Sequence, residues 1–292
     1  MDTPDLKRVG IQLFSIPKLL EQDFRKSIEM LSRMGYDEVE LFGPFPFSSE
    51  SAKSSWTALA PMLGFSGSGY FGHTPAEVKA ILTDNGITVP SIHTDLDTLE
   101  NHMEALGAAG GEIGFTYVGL PAIPEDRRTS PDDYKRMADT FNEIGAAAKR
   151  AGLKLAYHNH GYGLQEVDGQ IPLRIILDGT DPELVFFELD IYWTTAGGAD
   201  PVAYLNDYPG RYHLMHLKDM KELKHYSGDG NDSGQWIELF PYMTSAGKGI
   251  LDLNNIIAAA RQNGVRHFFV EQDLVQDPEV ALQDSLNFLK GR

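Results

Sequence analysis

The most constraining feature of this chain is a change of apolar period that repeats eight times. Short runs that read as strands alternate with longer runs whose apolar residues recur at helical spacing. The strand-like runs are Val9–Ser15, Glu38–Phe42, Ile87–His93, Thr116–Leu120, Leu153–Asn159, Leu184–Asp190, Tyr212–Lys218 and His267–Gln272. Between and after them the pattern predicts helices over Asp23–Met34, Ala76–Thr83, Leu96–Leu106, Pro131–Ala151, Ile171–Leu177, Pro201–Tyr208, Leu253–Gln262 and Glu279–Leu289. Thr74-Pro75 reads as an N-cap followed by a first-turn proline, while Gly152 and Gly264 read as C-terminal stops. Strands that alternate with helices form a parallel sheet, because each parallel return needs a crossover. Eight such units in 292 residues predict an α/β fold closed into a (β/α)8 TIM barrel, one domain over residues 1–292. An open doubly wound sheet is the competing topology.

Charge and composition then remove whole classes of function. With 42 acidic against 25 basic residues the net charge is −17, which opposes binding to a phosphate backbone or an anionic membrane. No apolar run approaches the length of a membrane span. The absence of cysteine removes disulfides, thiolate nucleophiles and sulfur-ligated metals. Met1-Asp2-Thr3-Pro4 lacks the basic-then-apolar pattern of an export signal, so the expected compartment is the cytoplasm, or the periplasm for a chain already trimmed of a leader. The expected partner is a small molecule, with no nucleic acid and no membrane, and a homo-oligomer is left open. Gly67–Gly72 spells GxGxxG, yet no strand precedes it, so it reads as a loop. Asp229–Gly234 opens like a calcium loop, but the twelfth position is Phe240 instead of the bidentate Glu.

Buried parallel strands should end in apolar residues unless their ends have work to do. Here the third ends at His93, the fifth at Tyr157-His158-Asn159-His160, the sixth at Phe187-Glu188-Leu189-Asp190, the seventh at His216-Leu217-Lys218 and the eighth at Val270-Glu271-Gln272. The two-residue period of a strand puts His158 with His160, Glu188 with Asp190, and His216 with Lys218. In a barrel these ends converge on one face, and so do the long connections Gly43–His73 and Met220–Gly249. Mixed imidazole and carboxylate donors without sulfur suit a divalent metal ion: Mn, Zn, Co or Fe, with Mg less favoured as imidazoles are added. His213 and His267 lie away from the last inward positions and read as structural.

These segments resemble the sugar phosphate isomerase/epimerase superfamily of xylose isomerase-like barrels. Val9–Ser15 (VGIQLFS) is similar to its opening GLQLYS strand, Met34–Leu41 to its GYxEVEL segment and Tyr157–His160 to its LENH strand. Gly247–Asp252 resembles its GxGxxD segment. The resemblance implies one metal held by Glu, Asp, His and Glu from strands five to eight. By position, Asp190, His216 and Glu271 match the last three, and His158 stands where many members have Glu. The fourth ligand is then His158 or His160, and the usual pair of proton-moving glutamates is incomplete. The implied activity is a metal-dependent sugar isomerase or epimerase working by enediolate proton transfer on a carbohydrate or polyol. The alternatives are a 3-keto-glycoside or inosose lyase on the same metal, or a barrel that binds sugar without turnover. In this reading Glu271, His160 and Glu166 move protons, Lys218 neutralises a developing oxyanion, and Glu40, His93 and Trp193 bind substrate. Trp193 also stands where endonuclease-IV-like barrels carry a second histidine, which separates the chain from that nuclease branch.

Overall fold

The structure, a computed structural model, describes residues 4–273, 275 and 277–291. Eight parallel strands close into a barrel: β1 (Gly10–Gln12), β2 (Glu38–Phe42), β3 (Thr88–His93), β4 (Tyr117–Leu120), β5 (Lys154–His158), β6 (Val185–Asp190), β7 (Tyr212–Leu217) and β8 (His267–Val270). Each strand pairs with its neighbours in sequence, and β8 returns to β1 through Gly10–Phe269 and Ile11–Val270. The predicted barrel is therefore present. No helix among the described residues is long and apolar enough to cross a membrane.

Most expected helices form where the sequence places them, with caps that explain their ends. Asp23 accepts from the Lys26 amide to open Phe24–Met34, and Thr74 with Glu77 forms a reciprocal capping box at Pro75–Asp84. The helix predicted over Leu96–Leu106 is instead two, Leu96–Asn101 and Met103–Ile113, broken at His102. The first strand is shorter than expected because the Gln12 side chain accepts from the Phe14 amide and turns the chain after three residues. Four helices among the described residues escape the apolar pattern, the short Pro17–Gln22 and Ser233–Ile237 and two others. Glu50–Leu63, inside the connection after β2, has no fully buried side chain, and Ile191–Ala196, after β6, is buried on nearly every side. Neither gives a one-sided apolar stripe.

Strand parity sets the interior. Tyr117, Ala156, Leu214 and Phe269 form an apolar plug inside the barrel. Two residues further along, the same inward positions hold His158 on β5, His216 on β7 and Glu271 after β8. On β4 that position is Gly119, where an added Cβ would lie 2.6 Å from the His93 ring. Glycine there lets an imidazole from the neighbouring strand occupy the barrel axis.

Candidate metal centre

Asp190 ends β6 and caps the helix that follows. Its Oδ1 accepts the Trp193 amide at 2.9 Å, while the buried Oδ2 faces the Lys218 ammonium at 3.1 Å. The same oxygen lies 3.8 Å from His158 Nε2 and 3.8 Å from His216 Nδ1. His216 Nδ1 is in turn 2.7 Å from Glu271 Oε2. Bonds of about 2.0–2.2 Å to one ion put neighbouring ligand atoms roughly 3–4 Å apart. Asp190, His216 and Glu271 form one buried donor group of about that size, and His158 joins His216 in a second with His93 and Glu188. Asn159, the middle residue of the His-Asn-His run, faces the other way. Its Oδ1 accepts the Asp190 amide at 3.1 Å and its Nδ2 donates to Thr194 at 3.0 Å, which ties the ends of β5 and β6 together.

A second polar layer lies beneath. Glu188 Oε2 is 2.6 Å from His93 Nε2 and 3.2 Å from His158 Nδ1, and Glu188 Oε1 is 3.2 Å from His216 Nε2. Glu40 Oε2 lies 2.8 Å from His216 Nε2 and accepts from Gln12 at 2.7 Å. His158 and His216 thus each turn one nitrogen toward the convergence point and the other toward a carboxylate, which orients the ring and fixes its tautomer. Burial opposes charge on His216, yet Glu188 and Glu271 hold its pKa well above the usual range. Burial together with neighbouring His216 lowers His158. Burial also works against Glu188 and Glu271 as anions, but His216 with His93, and Lys218 with His216, hold them well below the carboxylate range.

Lys218 is buried beside this centre. Its ammonium lies 2.6 Å from Glu271, 3.0 Å from Asp273 and 3.1 Å from Asp190. These three carboxylates outweigh burial and keep the lysine charged. Burial pushes Asp273 up to about 7, with Lys218 pulling the other way.

The structure sorts the sequence expectations. It brings Asp190, His216 and Glu271 together beside Lys218, and His158 together with His93, Glu188 and His216, with His93 and Trp193 on the cavity wall. His160 lines the cavity too but belongs to neither buried donor group. Its Nδ1 donates to the Pro121 carbonyl at 2.7 Å and its ring stacks on Trp236 at 4.4 Å. Burial and the nearby His158 and Lys218 keep it neutral, with a pKa well below that of free imidazole. Glu40, expected to bind substrate, is fully buried under His216 and absent from the cavity lining. Glu166, expected to move a proton, is exposed, because the chain folds back at once in the tight Val167–Gln170 turn and carries it outward. His213 and His267 lie at the opposite end of the barrel against Tyr117 and Glu38, as structural residues. Sequence reasoning assigned no role to Glu188, Gln12, Asp273 or Trp236.

The cavity above the centre has a volume of about 630 Å³. Two long connections wall it. After β7, Asp219 takes the amides of Met220, Gly247, Gly249 and Leu251 on its carboxylate and fixes both ends of the second connection. A Cβ at Gly249 would lie 2.2 Å from Asp219 Oδ1, which accounts for glycine in that segment.

A sequence profile of xylose isomerase-like TIM barrels matches residues 28–292, and the chain belongs to that family. The relatives it resembles include an inosose dehydratase of Clostridium beijerinckii, 34% identical over 91 residues. That match spans 31% of this chain and 30% of the relative. An inosose dehydratase of Bacillus cereus is 24% identical over 216 residues, 70% of this chain and 71% of the relative. A sugar phosphate isomerase/epimerase of Parabacteroides distasonis shares the fold with a TM-score of 0.76 at 22% identity, covering 99% of this chain and 98% of that one. A zinc-bound IolI protein has a TM-score of 0.68 at 14% identity, with 96% of each chain covered.

Proposed function

We propose that this chain is a metal-dependent lyase acting on a keto-sugar or inosose, with a divalent ion held by His158, Asp190, His216 and Glu271. The observation that carries the reading is the convergence of buried donors beside the Lys218 ammonium: Asp190 Oδ2 lies 3.8 Å from each of two imidazoles, and Glu271 lies 2.7 Å from His216. The zinc reported in the IolI protein supports a divalent ion, and the names of the curated relatives favour dehydration over isomerisation. A bound ion would act as a Lewis acid that polarises the substrate carbonyl.

The chain's own groups supply the rest. Lys218, fixed as an ammonium, balances negative charge that develops on the carbonyl oxygen. His160 Nδ1 is committed to Pro121, so the free lone pair is at Nε2, open to take the proton from the carbon beside the carbonyl. The C–O bond at the next carbon then breaks, a carbon–carbon double bond forms, and the same imidazolium returns its proton to the departing oxygen. Substrate becomes an enone plus water or an alcohol, and no electrons are exchanged. One imidazole acting twice suits a site in which the family's usual glutamate pair is incomplete.

The test combines metal analysis of purified protein with turnover of inososes and 3-keto-glycosides in D₂O. Stoichiometric divalent metal that is lost in Asp190→Ala, and enone formation that is lost in His160→Gln, are expected. Full metal content in Asp190→Ala would refute the ligand set. Deuterium uptake without enone would assign the site to isomerisation or epimerisation.

A further inference from the structure

The mouth of the cavity is chemically unlike its floor. The floor holds the charged centre, while the walls above it are mostly aromatic and aliphatic, with Ser51, Ser55, Asp95 and Asp97 among them. Trp56, Leu59 and Met62 of the Glu50–Leu63 helix stand on one wall, and Trp236, Ile237 and Phe240 after β7 stand on the other. Leu59, Met62 and Ile237 are 46%, 60% and 42% exposed and stand together at one cavity mouth, where a clustered apolar surface marks a binding face. Both indoles face the mouth without a free polar handle. Trp56 Nε1 donates to the Ser66 carbonyl at 2.7 Å, and Trp236 Nε1 to the Gly230 carbonyl at 2.6 Å. The rings therefore offer apolar faces.

An inosose carries oxygen on every ring carbon and gains little from such walls. A cavity of about 630 Å³ lies in the range that encloses drug-sized ligands, well beyond a six-carbon polyol. The walls run without a break into the charged floor, so one amphipathic ligand can span both. We propose that the substrate is a keto-glycoside with an apolar aglycone, the sugar at the centre and the aglycone between the Glu50–Leu63 helix and the Ser233–Ile237 segment. This rests on the lyase reading above and specifies its leaving group. The proton leaves the carbon between carbonyl and anomeric carbon, the anomeric C–O bond breaks, and the aglycone departs as a protonated alcohol.

The test uses paired probes whose leaving alcohols differ little in acidity. Binding of methyl β-glucoside and cyclohexylmethyl β-glucoside, which lack the keto group, is measured by tryptophan fluorescence. Turnover is measured on their 3-keto forms. Each methylene removed from water favours binding about fourfold, so partial burial of the cyclohexyl group predicts at least about a tenfold preference in affinity and in kcat/KM. Leu59→Ser combined with Ile237→Ser, at exposed positions, should bring both ratios toward one. Equal affinity of the parent for the two probes, or an unchanged preference in the double variant, would overturn the proposal. A preference in binding without enone from either keto form would leave the apolar subsite standing and remove the lyase reading.

Discussion

Lys218→Met isolates what one buried ammonium does for this centre. Lys218 is 2% exposed and lies within 3.1 Å of carboxylates on Asp190, Asp273 and Glu271. Methionine keeps the length and apolar stem of the side chain but removes the charge, leaving three carboxylates without that cation. Removing one partner from a buried ion pair typically costs about 3–5 kcal/mol. An unfolding entropy of about 2.1 cal/mol/K per residue over 292 residues converts this to a melting temperature about 5–8 °C lower in EDTA. A divalent ion should then stabilise the variant more than the parent, because Lys218 no longer shares the Asp190 and Glu271 oxygens with it. At about 100 times its Kd the ion contributes about 2.7 kcal/mol, enough to restore at least half of the loss. Circular dichroism melts of parent and variant, in EDTA and with excess Mn²⁺, check both expectations. If the variant melts with the parent in EDTA, the three carboxylates are not held together as charged groups. If Mn²⁺ stabilises the parent more, the lysine and the ion do not share oxygens.

Three further outcomes are expected. Glu188→Gln should weaken metal affinity about 10–100-fold, measured by competition with a chromophoric chelator, because Glu188 orients both His158 and His216. Unchanged affinity would mean the rings are held by packing alone. Glu166→Gln should keep the parent's kcat/KM on any substrate, since the side chain is exposed and absent from the cavity lining, and a dead variant would restore it as a proton carrier. At the far end of the barrel, burial and then the charges of Arg266 and Lys154 lower the His213 pKa to about 4. The unfolded chain therefore takes up this proton first as pH falls, and about 2 kcal/mol of stability, after discounting for solvent screening, should be lost between pH 6.5 and about 4. Urea midpoints should fall less steeply over that range in His213→Phe, and parallel curves for parent and variant would exclude the effect.

The barrel was legible because each buried strand is a short apolar run and strand parity is strict. Glu38–Phe42 and Leu253–Gln262 match the expected bounds residue for residue. The converging donor groups were legible for the same reason, since a charged side chain at the last inward position stands out against an apolar strand. Parity alone could not separate His158 from His160, which share a face. The Pro121 carbonyl, from a different loop, draws His160 aside, and no local pattern reports that contact. Parity also could not rank Glu188 against Asp190. One lies a layer deeper, and only the closed barrel shows that three imidazoles reach it. Glu166 lies outside the cavity lining because its loop turns back at Val167–Gln170, which its charge does not reveal. Glu50–Leu63 stayed hidden because a helix that covers a cavity mouth buries no side chain fully and leaves no periodic stripe.

The architecture of that helix bears on how such chains diversify. Glu50–Leu63 is capped by its own Ser49 and ends at Gly64 in a left-handed conformation, so it carries its own start and stop signals. It lends the hydrophobic core no fully buried side chain, so exchanging the segment removes little of what holds the barrel closed. The buried donor groups sit on strand ends whose positions the barrel dictates, while the proposed contact surface for the outer part of a ligand sits on an insert that adds no buried side chain to the core. Selection can therefore act on ligand choice by replacing a short stretch of sequence, while the residues that do chemistry pass unchanged from one descendant to the next.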